Sequence, residues 1–497
     1  MIERKIFPCL MYACAFALFV HVLPLHAAAD VNIEGKVKLF SSFYGEDNDD
    51  DPFDPHEAGD YTINRGELHL GLNGYVSDNV SFTSLVYFIY EARGEYERLK
   101  DLESSTGFSS EVHRQDTYVK EASFTLIDVI LEGLDLTAGR QRVRWGTSDE
   151  YNVVDNLNPV DFANLFSFDP DYFVDHLPMD GFNLEYHLPV DFDLKLQAVY
   201  FFSFKPSTLP RGFFDRSTAM LTERLEELTS SYGFSGGDVD LTLESIPDYS
   251  VSKGPVGVRL SGFVFNFDWG LSYYHGYQSL PFLTRLETDI TLDSTTLKGF
   301  YEYPELDVVG LDFAGEIHSI GIWGEFGAYF PEEIEVEQVT RLLTTTDREF
   351  IELFDRPYYK YTAGFDYTFG IGDGIYWNTQ YNHGFYDEFS YTSDAEHVLG
   401  LGDPGFMGTL EDYFITEVEY AFFNDTLITT LDCLLEVSDF NDFSDSTALV
   451  IKPQITYKPF DNASIEIGYV VITGRSSTKY GDFDKNDVLY TLLKAYF

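Results

Sequence analysis

The sequence is short of positive charge. It carries 32 Lys and Arg against 83 Asp and Glu in 497 residues, a formal net charge of −51. Nucleic-acid binding is therefore excluded as a default, because neutralising phosphates takes an excess of Lys and Arg. Cysteine is nearly absent. Cys9 and Cys14 fall in an N-terminal stretch expected to be removed, which leaves Cys433 alone. The mature chain then has no intramolecular disulfide and no cysteine metal cluster available to it. After Asp30 no apolar run approaches the ~20 residues a spanning helix needs. A P-loop signature is also missing, so NTPase chemistry lacks its usual sequence support.

Aromatics are plentiful, at 17% with 35 Tyr and 45 Phe, and there are 39 Gly. Disordered chains are poor in aromatic and β-branched residues, so this composition excludes disorder. It points instead to extended β-structure with long polar connections.

The N-terminus has the layout of a secretory signal. Arg4 and Lys5 precede an apolar stretch over residues 6–22, and Ala27-Ala28-Ala29 offers a cleavage site before Asp30. The competing reading is a membrane anchor, for which the stretch is short. Residues 1–29 are expected to be removed and 30–497 to form one exported domain.

Within that domain a unit recurs: an alternating segment of about ten residues, then a connection. In 359–369, Tyr359, Tyr361, Ala363, Phe365, Tyr367 and Phe369 share one face, and Lys360, Thr362, Asp366 and Thr368 lie on the other. In 414–422, Phe414, Val418, Tyr420 and Phe422 oppose Glu417 and Glu419. A period of two residues means strand. Eighteen such segments start near residues 31, 61, 80, 117, 134, 179, 192, 255, 267, 308, 320, 358, 375, 412, 426, 448, 463 and 488. The connections alternate in length. Short ones include residues 77–79, 189–191 and 424–425; long ones cover 45–60, 93–115, 147–178, 204–254, 278–306, 331–357, 386–411, 438–446 and 475–487. This asymmetry fits an all-β, antiparallel transmembrane β-barrel with short periplasmic turns and long extracellular loops. Eighteen strands is the preferred count, with sixteen left open. Because lipid offers no hydrogen bonds, the sheet must close, with its apolar face outward and its polar face inward.

Two stretches carry a family resemblance. The end, Tyr490-Thr491-Leu492-Leu493-Lys494-Ala495-Tyr496-Phe497, is similar to the assembly signal of Gram-negative outer-membrane barrels. The run Gly139-Arg140-Gln141-Arg142-Val143-Arg144-Trp145-Gly146, followed by Asn158-Pro159-Val160-Asp161, resembles a pattern in proteobacterial porins, including alginate-export-like and uncharacterised groups. The resemblance implies an outer-membrane location among lipid and lipopolysaccharide, and recognition of the strand ending in Phe497 by the barrel assembly machinery. It also implies small hydrophilic solutes as cargo, and it leaves a homotrimer open. A constriction-loop sequence of the general-porin type is missing, so loop geometry is not carried over.

The candidate site begins on the fifth segment. Arg140, Arg142 and Arg144 are two residues apart, so on a strand they share a face. Facing lipid at the midplane would cost roughly 2–4 kcal/mol each, so the ladder is expected to line the lumen. Leu134, Leu136 and Ala138 share that parity, so either the strand bulges near Gly139 or those residues lie at the periplasmic rim. The connection 147–178 carries Asp149, Glu150, Asp155, Asp161, Asp169, Asp171 and Asp175 with no Lys or Arg, together with Phe162, Phe166, Phe168, Tyr172 and Phe173. It is too apolar to wave in water and is expected to fold inward. Its acids would face the arginines, Lys36, Lys38, Lys195, Arg259 and Lys360 across a constriction, where rings of charge set selectivity. The competing reading makes these arginines structural ion pairs in a filled barrel.

Three further features are weaker. In 204–254, Leu221, Leu225 and Leu228 suit a short helix capped by Ser217. The acids of 45–60 could attract a divalent cation, but Pro52 and Ala58 break the EF-hand pattern; no cofactor is expected. His69, His187, His275, His318 and His383 are scattered one per strand, as pore-lining or girdle residues would be.

The expected function is an outer-membrane porin for passive diffusion of small hydrophilic solutes. The main rival is a barrel sheath or export partner enclosing another periplasmic protein, and a soluble secreted β-protein is third. Solute identity is not legible: the arginines argue for anions, the acidic loops for cations.

Overall fold

The computed structural model describes residues 30–48, 56–93, 115–149, 151–167, 169–171, 175–190, 192–210, 238–243, 254–291, 295–342, 345–399, 406–475 and 477–497. The expected signal (1–29), the helix proposed around Leu221, the acids Asp49, Asp50, Asp51 and Asp54, and Glu150, Phe168, Tyr172 and Phe173 lie outside the described residues.

Eighteen strands close into one antiparallel sheet. In order around the wall they are β1 (Asp30–Tyr44), β2 (Tyr61–Ser77), β3 (Val80–Arg93), β4 (Gln115–Leu126), β5 (Leu134–Gln141) and β8 (Met179–His187). Next come β9 (Lys195–Phe201), β11 (Val256–Val264), β12 (Phe267–Tyr277), β15 (Glu305–Ile317), β16 (Ile320–Pro331) and β19 (Tyr358–Phe369). The wall ends with β20 (Ile375–His383), β21 (Asp412–Phe422), β22 (Leu427–Val437), β23 (Thr447–Phe460), β24 (Ala463–Gly474) and β25 (Val488–Tyr496). Closure comes from β25 pairing with β1, and Phe497 exchanges backbone hydrogen bonds with Gly35. Each backbone edge is thereby satisfied, as a sheet in lipid requires.

The two faces are inverted relative to a soluble barrel. Along β15, Val309, Leu311 and Phe313 are 40–49% exposed, whereas Asp312 between them is fully buried. Along β19, Tyr359 and Tyr361 are exposed and Lys360 and Thr362 are buried. Apolar side chains face out and polar ones face the lumen, which identifies a membrane-spanning barrel. The short turns are tight. His318 and Ser319 both take positive φ between β15 and β16, as a two-residue hairpin demands. His318 is therefore a turn residue, whereas the sequence placed it in the pore or girdle.

The long connections hold structure that periodicity did not reveal. Five strands, β10 (Asp238–Leu243), β13 (Phe282–Ile290), β14 (Thr295–Glu302), β17 (Glu335–Leu342) and β18 (Thr345–Glu352), form a second sheet in the order β10-β14-β13-β17-β18. It mixes parallel and antiparallel pairs and draws on three separate connections. One short helix, α1 (Ser393–Leu399), lies in a fourth.

A large apolar core lies between this outer sheet and the lumen. It joins Trp145, Tyr151, Val153, Leu157 and Phe162 of the connection after β5 to Phe282, Val336, Ile351, Phe354, Phe389 and Tyr391 of the outer connections. This burial accounts for the apolar side chains described between Trp145 and Leu165, which are removed from water.

Candidate functional site

Strand β5 ends at Gln141. The three arginines therefore do not form a ladder on one strand, and the expected arrangement is corrected in two ways. First, Arg140 pairs across the sheet with Ala122 and Asp180, on the face shared by Ala138, Leu136, Phe182 and Leu184. Phe182 and Leu184 are exposed on the outside, so register puts Arg140 on the outward face. It is satisfied there by a two-pronged pair with Asp180 at 3.0 Å. Gly139 takes φ +128° but keeps its register with both neighbours, so it does not flip the parity. Second, Arg142 and Arg144 lie beyond the strand, in a chain segment that turns into the lumen.

That segment, residues 142–178, is a strap across the barrel. Asn158 ties its neck: its Oδ1 accepts from the Val143 N–H at 2.9 Å, and its Nδ2 donates to Gln141 O and Leu177 O. A two-stranded ribbon of β6 (Val160–Asp161) and β7 (Asp175–His176) stiffens the base. Asp161 accepts from the Ala163 N–H and from the Thr208 hydroxyl, so it builds the turn into the 3-10 segment Phe162–Ser167.

Glu325 on β16 anchors one side of the strap. Its carboxylate accepts the N–H groups of Thr147 (2.6 Å), Ser148 (2.9 Å) and Val154 (3.2 Å). Gly146 permits this approach: at φ +93° a Cβ would run into the Glu325 carboxylate and the Asn152 side chain. The Tyr329 hydroxyl donates to Val153 O, Gln380 to Tyr151 O, and Asn378 to Asp149.

About halfway round the wall, the strap's other side is held by charge. Asp169 meets Lys38 at 2.6 Å, both side chains fully buried, with Arg65 at 3.6 Å. Asp171 meets Lys36 at 2.7 Å and Lys494 at 2.5 Å, and Asp175 pairs with Lys120. Burial would raise the Asp171 carboxyl, but Lys38, Lys494 and Lys36 overcome it and hold the group well below its ordinary range. Asp169, Asp171 and Asp175 thus face cations of the wall, whereas Asp149, Asp155 and Asp161 do not. Lys36 and Lys38 are among these cations; Arg65, Lys120 and Lys494 were missed. Arg65 had a signal, as a cation on the polar parity of β2, but Lys120 sits on the apolar parity of β4, at an irregularity opposite Leu85 and Val86, and Lys494 shares its parity with Val488, Tyr490 and Leu492.

Inside the strap, Asp155 is buried 3.9 Å from Arg142 and 3.7 Å from His176. Burial pushes its carboxyl up to about 7, against the pull of Arg142 and the Trp145 N–H. Burial and the charge of Arg142 hold His176 well below its ordinary value, hence neutral. Lys360 is also dry. Its ammonium donates to Phe385 O at 2.5 Å and lies over the rings of Tyr329 and Phe389.

Beneath the strap is a cavity of about 820 Å³. The strap residues Arg142 to Thr147 form one side, and the lumen faces of β8, β9, β11, β12 and β15 form the rest. Four of the sequence-selected cations line it together: Arg142, Arg144, Lys195 and Arg259. Glu185, Asp193, Asp268 and Asp312 line it as well. Arg259 is bound two-pronged by Asp312 at 2.6 and 2.7 Å, and Lys195 meets Glu185 at 3.3 Å. Arg142 bonds neutral His176 at 3.0 Å, with Asp155 and Asp175 no nearer than 3.9 Å, and among the described residues Arg144 bonds Ser148 O, also at 3.0 Å. These two guanidiniums are therefore the cavity's least neutralised cations. Asp149, Asp155, Asp161 and Lys360 do not line it, and Glu150 lies outside the described residues.

Among the described residues no group of three or more His, Cys, Asp or Glu is arranged to hold a metal ion.

Comparison with known proteins adds a family. Residues 40–473 match the family described as "Protein of unknown function (DUF1302)". No curated protein matches the sequence. Among solved structures the chain is similar to OccK1 (OpdK) of Pseudomonas aeruginosa, at 10% identity and TM-score 0.47, covering 94% of this chain and 98% of that one. It is similar to OccAB3 of Acinetobacter baumannii, at 10% identity and TM-score 0.49, covering 94% and 99%. The outer membrane channel DcaP of Acinetobacter baumannii follows, at 10% identity and TM-score 0.39, covering 96% and 99%.

Proposed function

The chain belongs to the DUF1302 family, and from its own geometry we propose that it is an outer-membrane channel through which small hydrophilic solutes diffuse. The observation that carries this reading is the polar cavity inside a membrane-spanning barrel, with Arg142, Arg144, Lys195 and Arg259 on its walls. Among the described residues Arg144 has no carboxylate in ion-pair contact, and those nearest Arg142, Asp155 and Asp175, stand off at 3.9 Å. The strap narrows the path above the cavity, and its apolar side packs into the outer core. A solute crossing the barrel passes Arg142 and Arg144 at the strap and Asp193 and Asp268 lower down. Charges at such a narrowing set which ions pass. The strand ending in Phe497, which closes the barrel on β1, is the segment that assembly machinery would read.

Planar-bilayer recording of the refolded protein tests this, with the reversal potential measured under a salt gradient. Stable open steps are expected, with an anion preference that Arg142→Ala with Arg144→Ala abolishes. Silence from a correctly folded barrel would overturn the channel and promote the sheath. Cation selectivity that ignores both arginines would move control to the acidic connections.

A further inference from the structure

The outer wall repeats one chemical arrangement twice. Tyr273-Tyr274-His275-Gly276-Tyr277, ending β12, and Tyr381-Asn382-His383-Gly384-Phe385, ending and following β20, share the pattern Tyr-x-His-Gly-aromatic. In both cases the next wall strand places an aspartate opposite the histidine: His275 pairs with Asp307, and His383 with Asp412. The hydrogen bonds repeat atom for atom. The Tyr273 hydroxyl donates to Asp307 Oδ1 at 2.6 Å, and the Tyr381 hydroxyl to Asp412 Oδ1 at 2.5 Å. Histidine Nδ1 lies 2.9 Å from that same oxygen in both triads. Each pattern begins two residues from an outward position, so both triads point away from the lumen. Leu271, Tyr273 and Val309 are exposed around the first, and Phe414 and Tyr361 around the second. The His275 and Asp307 side chains are 47% and 44% exposed. Both lie at the strand ends from which the long connections leave, that is, at the extracellular rim.

A girdle needs only tyrosine or tryptophan to anchor a barrel at the interface. A carboxylate on the lipid side is tolerated only near headgroup depth, where it has polar partners. Each triad commits Asp Oδ1 and histidine Nδ1 to internal bonds and leaves Oδ2 and Nε2 for a partner. No Lys or Arg belongs to either triad, and the chain's charge is −51, so a bare phosphate has nothing to bind. Sugar hydroxyls do fit: they donate to a carboxylate oxygen and an imidazole nitrogen, and their C–H faces pack on aromatic rings. Tyr361 supplies such a ring, stacked on His383 with centroids 4.9 Å apart, and Phe330 and Tyr359 are exposed between the two triads. We infer that the Tyr273–His275–Asp307 and Tyr381–His383–Asp412 triads bind the sugar headgroups of glycolipids in the outer leaflet. This inference rests on the outer-membrane reading above.

Native mass spectrometry of the full-length protein in a sugar-free detergent tests it, with monoglucosyl diacylglycerol as probe and phosphatidylglycerol as control. Two glycolipid molecules are expected to be retained, and the phosphatidylglycerol none. Asp307→Asn is expected to weaken one site about tenfold, the loss of one good hydrogen bond, and Asp307→Asn with Asp412→Asn both. Heat-modifiable migration checks that each variant is folded. Should a variant not fold, His275→Phe and His383→Phe keep the apolar bulk and must give the same losses. Equal retention of phosphatidylglycerol, or undiminished glycolipid binding by folded variants, overturns the inference. Fractionation away from the outer membrane would defeat the channel reading instead, and the binding count reads independently of it.

Discussion

The two sides of the lumen use the same residue types for different work. Around β25, β1, β2 and β4, Lys38, Arg65, Lys120 and Lys494 are matched to Asp169, Asp171 and Asp175 of the strap, largely out of water. Around β8 to β15, Lys195 and Arg259 have their own wall partners, and Arg142 and Arg144 face an open cavity. Buried, matched charges hold the strap in place, because removing one partner strands the other in a low-dielectric site. Charges beside a water-filled cavity add little to stability but create the field a solute feels. The count of cations on a wall says little; their burial and partners decide what they do.

The largest effect is expected on the dry side. Lys38→Met leaves Asp169 buried with its nearest cation gone, a cost of about 3–5 kcal/mol. Urea unfolding in micelles should show a lower midpoint, largely restored when Asp169→Leu is added. A wild-type midpoint for Lys38→Met would dissolve the contrast between the sides. Of similar size is Glu325→Leu, which strips the acceptor from three strap N–H groups at about 1–3 kcal/mol for each one left buried and unpaired. Hydrogen exchange at residues 147–154 should rise sharply, and unchanged exchange would mean the strap is held elsewhere.

Smaller still is a pH effect through Asp155. Its carboxyl stays neutral in the folded protein up to about pH 7, whereas in the unfolded chain it ionises near 3.8. Between those values the unfolded state binds fewer protons, so strap stability falls as pH rises through that window and levels off above it. Protection of residues 145–157, taken relative to the intrinsic exchange rate at each pH, should be greater at pH 5 than at pH 8, and Asp155→Asn should flatten the difference. An opposite slope would show the group ionised when folded. The least effect on stability, within about 0.5 kcal/mol, is expected for Arg142→Ala with Arg144→Ala. That pair should nonetheless shift the reversal potential most.

Alternation made the barrel legible. Tyr359, Tyr361 and Lys360 fall on the faces that period two assigns, and all eighteen wall strands lie where the periodic segments were found. The apolar character of 147–178 likewise told that it leaves water. What failed was parity across a strand end. Arg140, Arg142 and Arg144 look equivalent at two-residue spacing, yet β5 stops at Gln141, and spacing has no meaning beyond it. The outer five-stranded sheet was invisible for a related reason: its strands come from three separate connections and find one another only in space. The Tyr-x-His-Gly repeat was present in the sequence, but histidines read one at a time concealed it.

The chain by itself determined that it must close a sheet in lipid, because each period-two segment has one face that water rejects and one that lipid rejects. It also determined that the connection after β5 goes inward, because its aromatics demand burial. Only the tertiary structure decided which charges meet. Lys38 and Asp169 are 131 residues apart in the chain and Glu325 and Thr147 are 178 apart, so no local rule couples them. Those pairings arise from the circumference of the closed barrel, which brings distant strands to opposite ends of one strap.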